Sequence, residues 1–231
     1  MRQPLLLQYY NELPDRKVGD SSRQAAHRIR RGLDRFKKSV ARRYHEATLE
    51  RLLVCSNPAV RQAAVLALGL GGSMNVNAAL AARLHDEDPI VSELAADSLW
   101  SVWFRADSKE HNLELQRLMR QRVDGDTASG VLAGFRALID KAPRFAEAYN
   151  QRAIVYFRLG DLAKAIADCE KTLRLNPYHF GAANGLAQSF MRQKKLRAAL
   201  RSYRRANRIN PHLDGVKQVI DSLERMLGEK G

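Results

Sequence analysis

Cysteine is nearly absent from this chain of 231 residues: Cys55 and Cys169 stand 114 positions apart, each inside a helical pattern. That excludes a disulfide framework and a cysteine-based metal knuckle, and two reduced, packed thiols are expected. Proline and glycine are sparse at 7 and 14 residues, and alternating β-branched runs are scarce, so a sheet protein is not expected. No stretch approaches the roughly 18 consecutive apolar residues of a membrane span. Leu5-Leu6-Leu7 is too short for the apolar part of a signal peptide, which leaves a cytoplasmic protein as the expectation. The phosphate-cradling, dinucleotide-binding and nucleophile-elbow glycine motifs are all missing. Gly69-Leu70-Gly71-Gly72, the one glycine-rich run, follows a helix rather than a strand and reads as a helix stop.

Acidic charge is also in short supply. Lys and Arg number 39 against 25 Asp and Glu, a formal net charge of +14. The excess is uneven: 13 against 6 over residues 1–54, 4 against 7 over 55–111, and 22 against 12 over 112–231. Basic ends around a slightly acidic middle point to an anionic partner. Ala, Leu and Arg dominate, and all favour helix.

Periodicity supplies the fold. Pro143, Pro177 and Pro211 stand 34 residues apart, and Tyr149/Ala183, Tyr156/Phe190, Leu162/Leu196 and Ala165/Ala199 repeat at the same interval. A fixed period of this length marks stacked helical units that bury their apolar faces only against neighbours. A second period of 31 relates Pro58-Ala59-Val60 to Pro89-Ile90-Val91, Ala64 to Ala95 and Leu68 to Leu99. Before it, Ile29, Leu33, Phe36, Val40, Tyr44 and Ala47 line one face of a helix over 23–54 that breaks near Tyr44. Arg28, Arg31, Arg35, Lys38 and Arg42 line the next face. Residues 1–22, broken by Pro4, Pro14 and Gly19, read as a flexible leader. The expected fold class is all-α, and the expected organisation is a leader (1–22), a basic helix with two repeats (23–111), then three units and a capping helix (112–231). Helices are expected over 75–85, 89–104 and 214–228.

The residues of the 34-residue period resemble the tetratricopeptide repeat. In the middle unit, 146–179, Tyr149, Ala153, Tyr156, Gly160, Ala165 and Pro177 fall where that family places aromatic, small, turn and terminal residues. The unit 180–213 keeps Leu186, Ala187, Phe190, Ala199, Tyr203, Ala206 and Pro211, with Lys194 at the turn-glycine position. The unit 112–145 is degenerate, with Met119 and Val131 at small-residue positions. Residues 46–104 resemble a pair of HEAT repeats, carried by Asn57-Pro58-Ala59-Val60-Arg61 and its partial copy at Asp88-Pro89-Ile90-Val91, where Ser92 replaces the basic residue. Both resemblances imply a right-handed α-α superhelix built of helical hairpins.

The tetratricopeptide resemblance implies a concave groove lined by the first helix of each unit: Gln116 and Arg120, then Asn150, Ile154 and Phe157, then Asn184, Gln188 and Met191. Asn150 and Asn184, one period apart, would form an amide ladder for an extended peptide backbone, with apolar pockets at Phe157 and Met191. The carboxylate clamp that some of these arrays use for chaperone C-termini is not matched: Gln116, Arg120, Gln151, Gly181 or Gly215, and Gly185 or Val219 stand at its positions. A competing surface is the basic patch Arg192, Lys194, Lys195, Arg197, Arg201, Arg204, Arg205 and Arg208, uninterrupted by any acid over 192–208.

Chemistry finds little support. The lone His45-Glu46 pair cannot build the metal site of HEAT-type hydroxylases, and no other histidine pair has metal-ligand spacing. Asp86-Glu87-Asp88 reads as helix-start charge on an exposed turn. Trp100 and Trp103 read as core, or as the seam between the two arrays, rather than as base-stacking groups like those of HEAT-like DNA glycosylases. No catalytic residue, metal or cofactor is expected. The sequence therefore predicts a non-catalytic scaffold that holds a peptide segment or acidic protein in the groove. The alternative is a protein that uses its arginine-rich faces on nucleic acid or an anionic membrane, and a further option is an accessory subunit or HEAT-type lyase with no nominable residues.

Overall fold

The computed structural model describes residues 4–14, 22–124 and 127–228. Among them every regular element is helical, in the order α1 (Leu5–Asn11), α2 (Ser22–Ala41), α3 (Glu46–Leu52), α4 (Pro58–Gly71), α5 (Asn77–Ala82), α6 (Pro89–Trp103), α7 (Lys109–Met119), α8 (Ala128–Lys141), α9 (Ala146–Leu159), α10 (Leu162–Leu175), α11 (Phe180–Arg192), α12 (Leu196–Ile209) and α13 (Val216–Leu227). The all-α expectation holds. Two compact units divide between Val102 and Trp103, inside α6 rather than after residue 111.

In the first unit the expected irregular leader is partly a packed helix. Pro4 starts α1 by accepting from the amides of Leu7 and Gln8. Leu6 and Leu7 are buried, and the Leu6 amide donates to the Tyr44 hydroxyl at 3.0 Å. The apolar triplet thus covers α4. Burying such a leucine contributes about 1.5–3 kcal/mol, enough to hold two turns that would not persist alone. Residues 15–21 of the leader lie outside the described residues. Helix α2 lays Ala25, Gly32, Phe36 and Val40 against α1 and α4, and the chain breaks after Ala41 as the pattern near Tyr44 predicted.

Helix α4 opens with Pro58 at its first turn, and the Asn57 side chain accepts from the Ala59 amide at 2.9 Å. It does not stop at Gly69 but runs to Gly71. Gly69 is where α4 meets α6: a β-carbon there would collide with the Ser98 hydroxyl, which itself donates to the Val65 carbonyl at 3.1 Å. The glycine serves close approach, not termination. The helix expected over 75–85 is instead the short α5 between 3-10 turns at Met74–Val76 and Arg83–His85.

The acidic turn before α6 is also not simply exposed. The Asp86 side chain is 2% exposed and accepts from Arg61 Nε at 3.0 Å and Nη2 at 2.7 Å, with Arg83 at 3.1 Å. Arg61 additionally donates to the Cys55 and Ser56 carbonyls at 2.9 and 3.2 Å. Asp88 caps α6, accepting from the Val91 amide at 2.9 Å. Only Glu87 meets the expectation of an exposed helix-start charge.

The second unit is a run of helical hairpins. Each helix from α7 to α13 packs on the next, and α9 also touches α11. First helices of successive hairpins meeting in this way is what stacking in register requires. Ala153, Ala165, Ala187 and Ala199 are all buried, letting neighbouring helices close up. The period is visible in the backbone: Asn176 and Asn210 end α10 and α12 in the same extended conformation, and their side chains accept from the amides of Tyr178 and His212. Likewise Gly160 and Lys194 close α9 and α11 at φ 82° and 59°. Lys194 therefore adopts the left-handed conformation its repeat position demands, without glycine's freedom.

Candidate peptide-binding groove

On α9, Ile154 and Phe157 are three residues apart and share a face, as do Asn184, Gln188 and Met191 on α11. Ile154 is 37% exposed. Phe157, Asn184 and Met191 are half-buried and Gln188 is exposed. Arg192 joins the two helices on this face. Its guanidinium lies 4.8 Å above the Phe157 ring, and Nη1 donates to the Phe157 carbonyl at 2.7 Å. This wall combines apolar contact area with a cation held flat on an aromatic ring. Gln116 and Arg120 are exposed near the C-terminal end of α7. No hydrogen bond or ion pair joins them to the wall among the described residues.

Asn150 departs from expectation. It is 3% exposed, and its amide donates to Glu147 Oε1 at 3.0 Å within the core. The proposed ladder of free amides is therefore corrected: only Asn184 keeps an accessible side chain. Glu147 is a hub, since Gln151 Nε2 also donates to it at 2.7 Å and His179 Nε2 reaches Oε2 at 2.8 Å. Both Glu147 and His179 side chains are fully buried. His179 Nδ1 accepts from the Ala182 amide at 2.9 Å, capping α11. With Nδ1 an acceptor, Nε2 carries the proton that is donated to the carboxylate, so the imidazole is neutral. Trp103 stacks on this ring at 4.3 Å and tilts against Phe180 at 5.2 Å. Trp103 is thus core of the second unit. The hub escaped sequence reading because it does not repeat: one period on, Gly181 and Leu213 replace Glu147 and His179.

The basic patch is not one uninterrupted stripe. Arg192 lies over Phe157 on the α9–α11 face. Arg204 points to α13 and binds Glu224 Oε1 through Nε at 3.0 Å and Nη2 at 2.7 Å. Arg205 is half-buried, while Lys194, Lys195, Arg197, Arg201 and Arg208 are exposed. A further cluster fixes the α9–α10 hairpin. Arg152 lies between the Tyr149 and Tyr156 rings, 5.6 and 5.8 Å from their centroids, and forks onto Asp168 at 2.7 and 2.8 Å. Its hydrogen bond to Asp168 holds the guanidinium pKa above the ordinary value. No group of three or more His, Cys, Asp or Glu residues is placed to hold a metal among the described residues, and none of their helices is long and apolar enough to cross a membrane.

Comparison with known proteins matches this geometry. A tetratricopeptide repeat profile covers residues 146–179, the α9–α10 hairpin and its following turn, and a HEAT repeats profile covers 18–130. The chain carries tetratricopeptide and HEAT-like repeats over these residues. The HEAT match runs through α7, which the 34-residue spacing assigned to the first tetratricopeptide unit. A TPR repeat-containing protein of Rhizobium etli is 25% identical over 147 residues, 63% of this chain and 72% of that one. Sperm-associated antigen 1 of Mus musculus is 33% identical over 103 residues, 45% of this chain but only 11% of the mouse protein. Among solved structures, the first TPR of Spaghetti (RPAP3) bound to HSP90 peptide SRMEEVD has a TM-score of 0.47 at 21% identity, covering 53% of this chain and 96% of that one.

Proposed function

We propose that this repeat protein is a non-catalytic interaction scaffold, and that the wall formed by α9 and α11 holds an extended, acidic segment of a partner protein. The observation that carries the reading is the Ile154, Phe157 and Arg192 arrangement. A large aliphatic side chain is left exposed beside a ring that a guanidinium covers, and only one guanidinium nitrogen is used by the Phe157 carbonyl. The remaining donors suit a carboxylate, and the excess of 22 basic over 12 acidic residues in 112–231 favours an acidic ligand. Ile154 and Met191 would take apolar side chains between the acids.

The ligand is an internal segment rather than a chaperone C-terminus. Where a terminal carboxylate clamp needs cations and free amides, this chain has Gly181 and Gly185, and the Gln151 amide is bound to Glu147. Peptide arrays of acidic, neutral and basic extended sequences test the proposal. Acidic peptides should be captured, with at least tenfold loss for Ile154→Glu or Arg192→Glu and none for Leu113→Glu, an exposed apolar residue on α7. Equal capture by all three variants refutes the groove. Substituting Asn150 is no test, because its amide is part of the core.

A further inference from the structure

We propose that the solvent-facing side of α2 is a second binding surface, and that it holds the phosphate backbone of a nucleic-acid duplex. Residues His27, Arg28, Arg31, Asp34, Arg35 and Lys38 recur every three or four positions on one face and enclose a shallow cleft of about 560 Å³. One carboxylate, Asp34, stands among four permanent cations. Arg31, Arg35 and Lys38 are exposed and make no hydrogen bond or ion pair among the described residues. This contrasts with α12, where Arg204 is bound to Glu224. Guanidinium forks match phosphate oxygens better than any other side chain does.

The occupant follows from what else α2 lacks. Most of its apolar face, Ala25, Phe36 and Val40, is buried against α1 and α4, which leaves Ile29, 37% exposed, as a single large apolar side chain and no continuous apolar face to insert into a bilayer. No aromatic side chain is exposed on it: Phe36 is 3% exposed. Single strands are bound largely by stacking on aromatics, which this surface cannot provide. A straight cationic row remains. From Arg28 to Lys38 it spans about 15 Å of helix, and a duplex presents about nine phosphate charges over that length. Such a surface reads charge and spacing, not sequence.

Fluorescence anisotropy of the whole chain with a labelled DNA duplex, and the RNA duplex of the same sequence, across a salt series tests this. Three contacts, from Arg31, Arg35 and Lys38, predict a slope of log K on log salt of about −2.7. Arg31→Ala/Arg35→Ala should flatten it by about 1.8 and weaken binding about 60-fold at 0.1 M salt. Arg201→Ala/Arg205→Ala on α12 should leave the slope unchanged, and circular dichroism confirms that both variants fold. A slope unaltered by the α2 variant, or altered only by the α12 variant, overturns the proposal. So does binding to phosphatidylserine vesicles that is stronger than to either duplex and is lost with the same two arginines.

Discussion

Replacing Arg61 by methionine isolates the most buried of the ion pairs that tie the first HEAT-like hairpin to the second. Methionine keeps most of the length and the apolar stem but removes all five donors. Asp86, with its side chain 2% exposed, would then retain only Arg83 and the Asp88 amide, each at 3.1 Å. The Cys55 and Ser56 carbonyls would lose their shared donor. Breaking a buried pair from one side costs about 3–5 kcal/mol, because the surviving charge is left uncompensated. For a unit of roughly a hundred residues, that lowers the melting midpoint by at least about 12 °C. Arg61→Lys should fall between, since an ammonium cannot bridge the carboxylate and two carbonyls together. Adding Asp86→Asn to Arg61→Met should recover part of the loss. The assay is denaturant unfolding followed by tryptophan fluorescence, to which Trp100 and Trp103 both contribute, with hydrogen exchange to locate the change in α4 and α6. A cost below about 1 kcal/mol, or additivity of the two substitutions within about 0.5 kcal/mol, refutes the reasoning.

Three further outcomes follow from the structure. Burial alone would push the Asp86 carboxyl pKa up, but the Arg61 hydrogen bond, the Asp88 amide and the Arg61 and Arg83 charges outweigh it and hold it below the usual value. Its stabilisation is therefore complete above the ordinary aspartate range and is lost as pH falls through the depressed value. The stability gap between wild type and Arg61→Met should shrink in acid, and a constant gap would contradict this. Lys194→Gly should raise stability by about 0.5–1 kcal/mol, the relief of left-handed strain less the freedom glycine gains when unfolded; thermal melting reads it, and a fall would contradict it. Burial, with Asp168 and Glu170 nearby, pushes the Cys169 thiol up to about 12, so iodoacetamide near pH 8 should label half-exposed Cys55 first and Cys169 only on unfolding.

What repeats along the chain was legible, and what occurs once was not. The turns at Pro177 and Pro211, the paired alanines and the Lys194 turn position all lay on the 34-residue period, so spacing located them before any coordinates. The Glu147–His179–Trp103 hub joins residues from three separate elements and has no copy one period away. Only three-dimensional contact assembles it, and it converts Asn150 from a groove residue into a core one. Gly69 was misread because a glycine that permits helix contact and one that ends a helix look alike until the facing residue, Ser98, is known. The leader was misread for a related reason. Leu6 and Leu7 form no period of their own, and their helix exists through burial against α4. Arg61 lay within a recognised motif, but its partner Asp86 is 25 residues away and looked like surface charge.

The most direct test of the central claim is photo-crosslinking from the groove itself. A benzophenone amino acid would be placed at Ile154, and in a control at Ala167, which is exposed on α10. Each protein would be exposed to nuclease-treated extract and its adducts identified by mass spectrometry. The account predicts a discrete adduct from position 154, mapping to an acidic extended segment, absent from position 167 and abolished by Arg192→Glu. Equal adducts from both positions, or an adduct at 154 that survives Arg192→Glu, would contradict it.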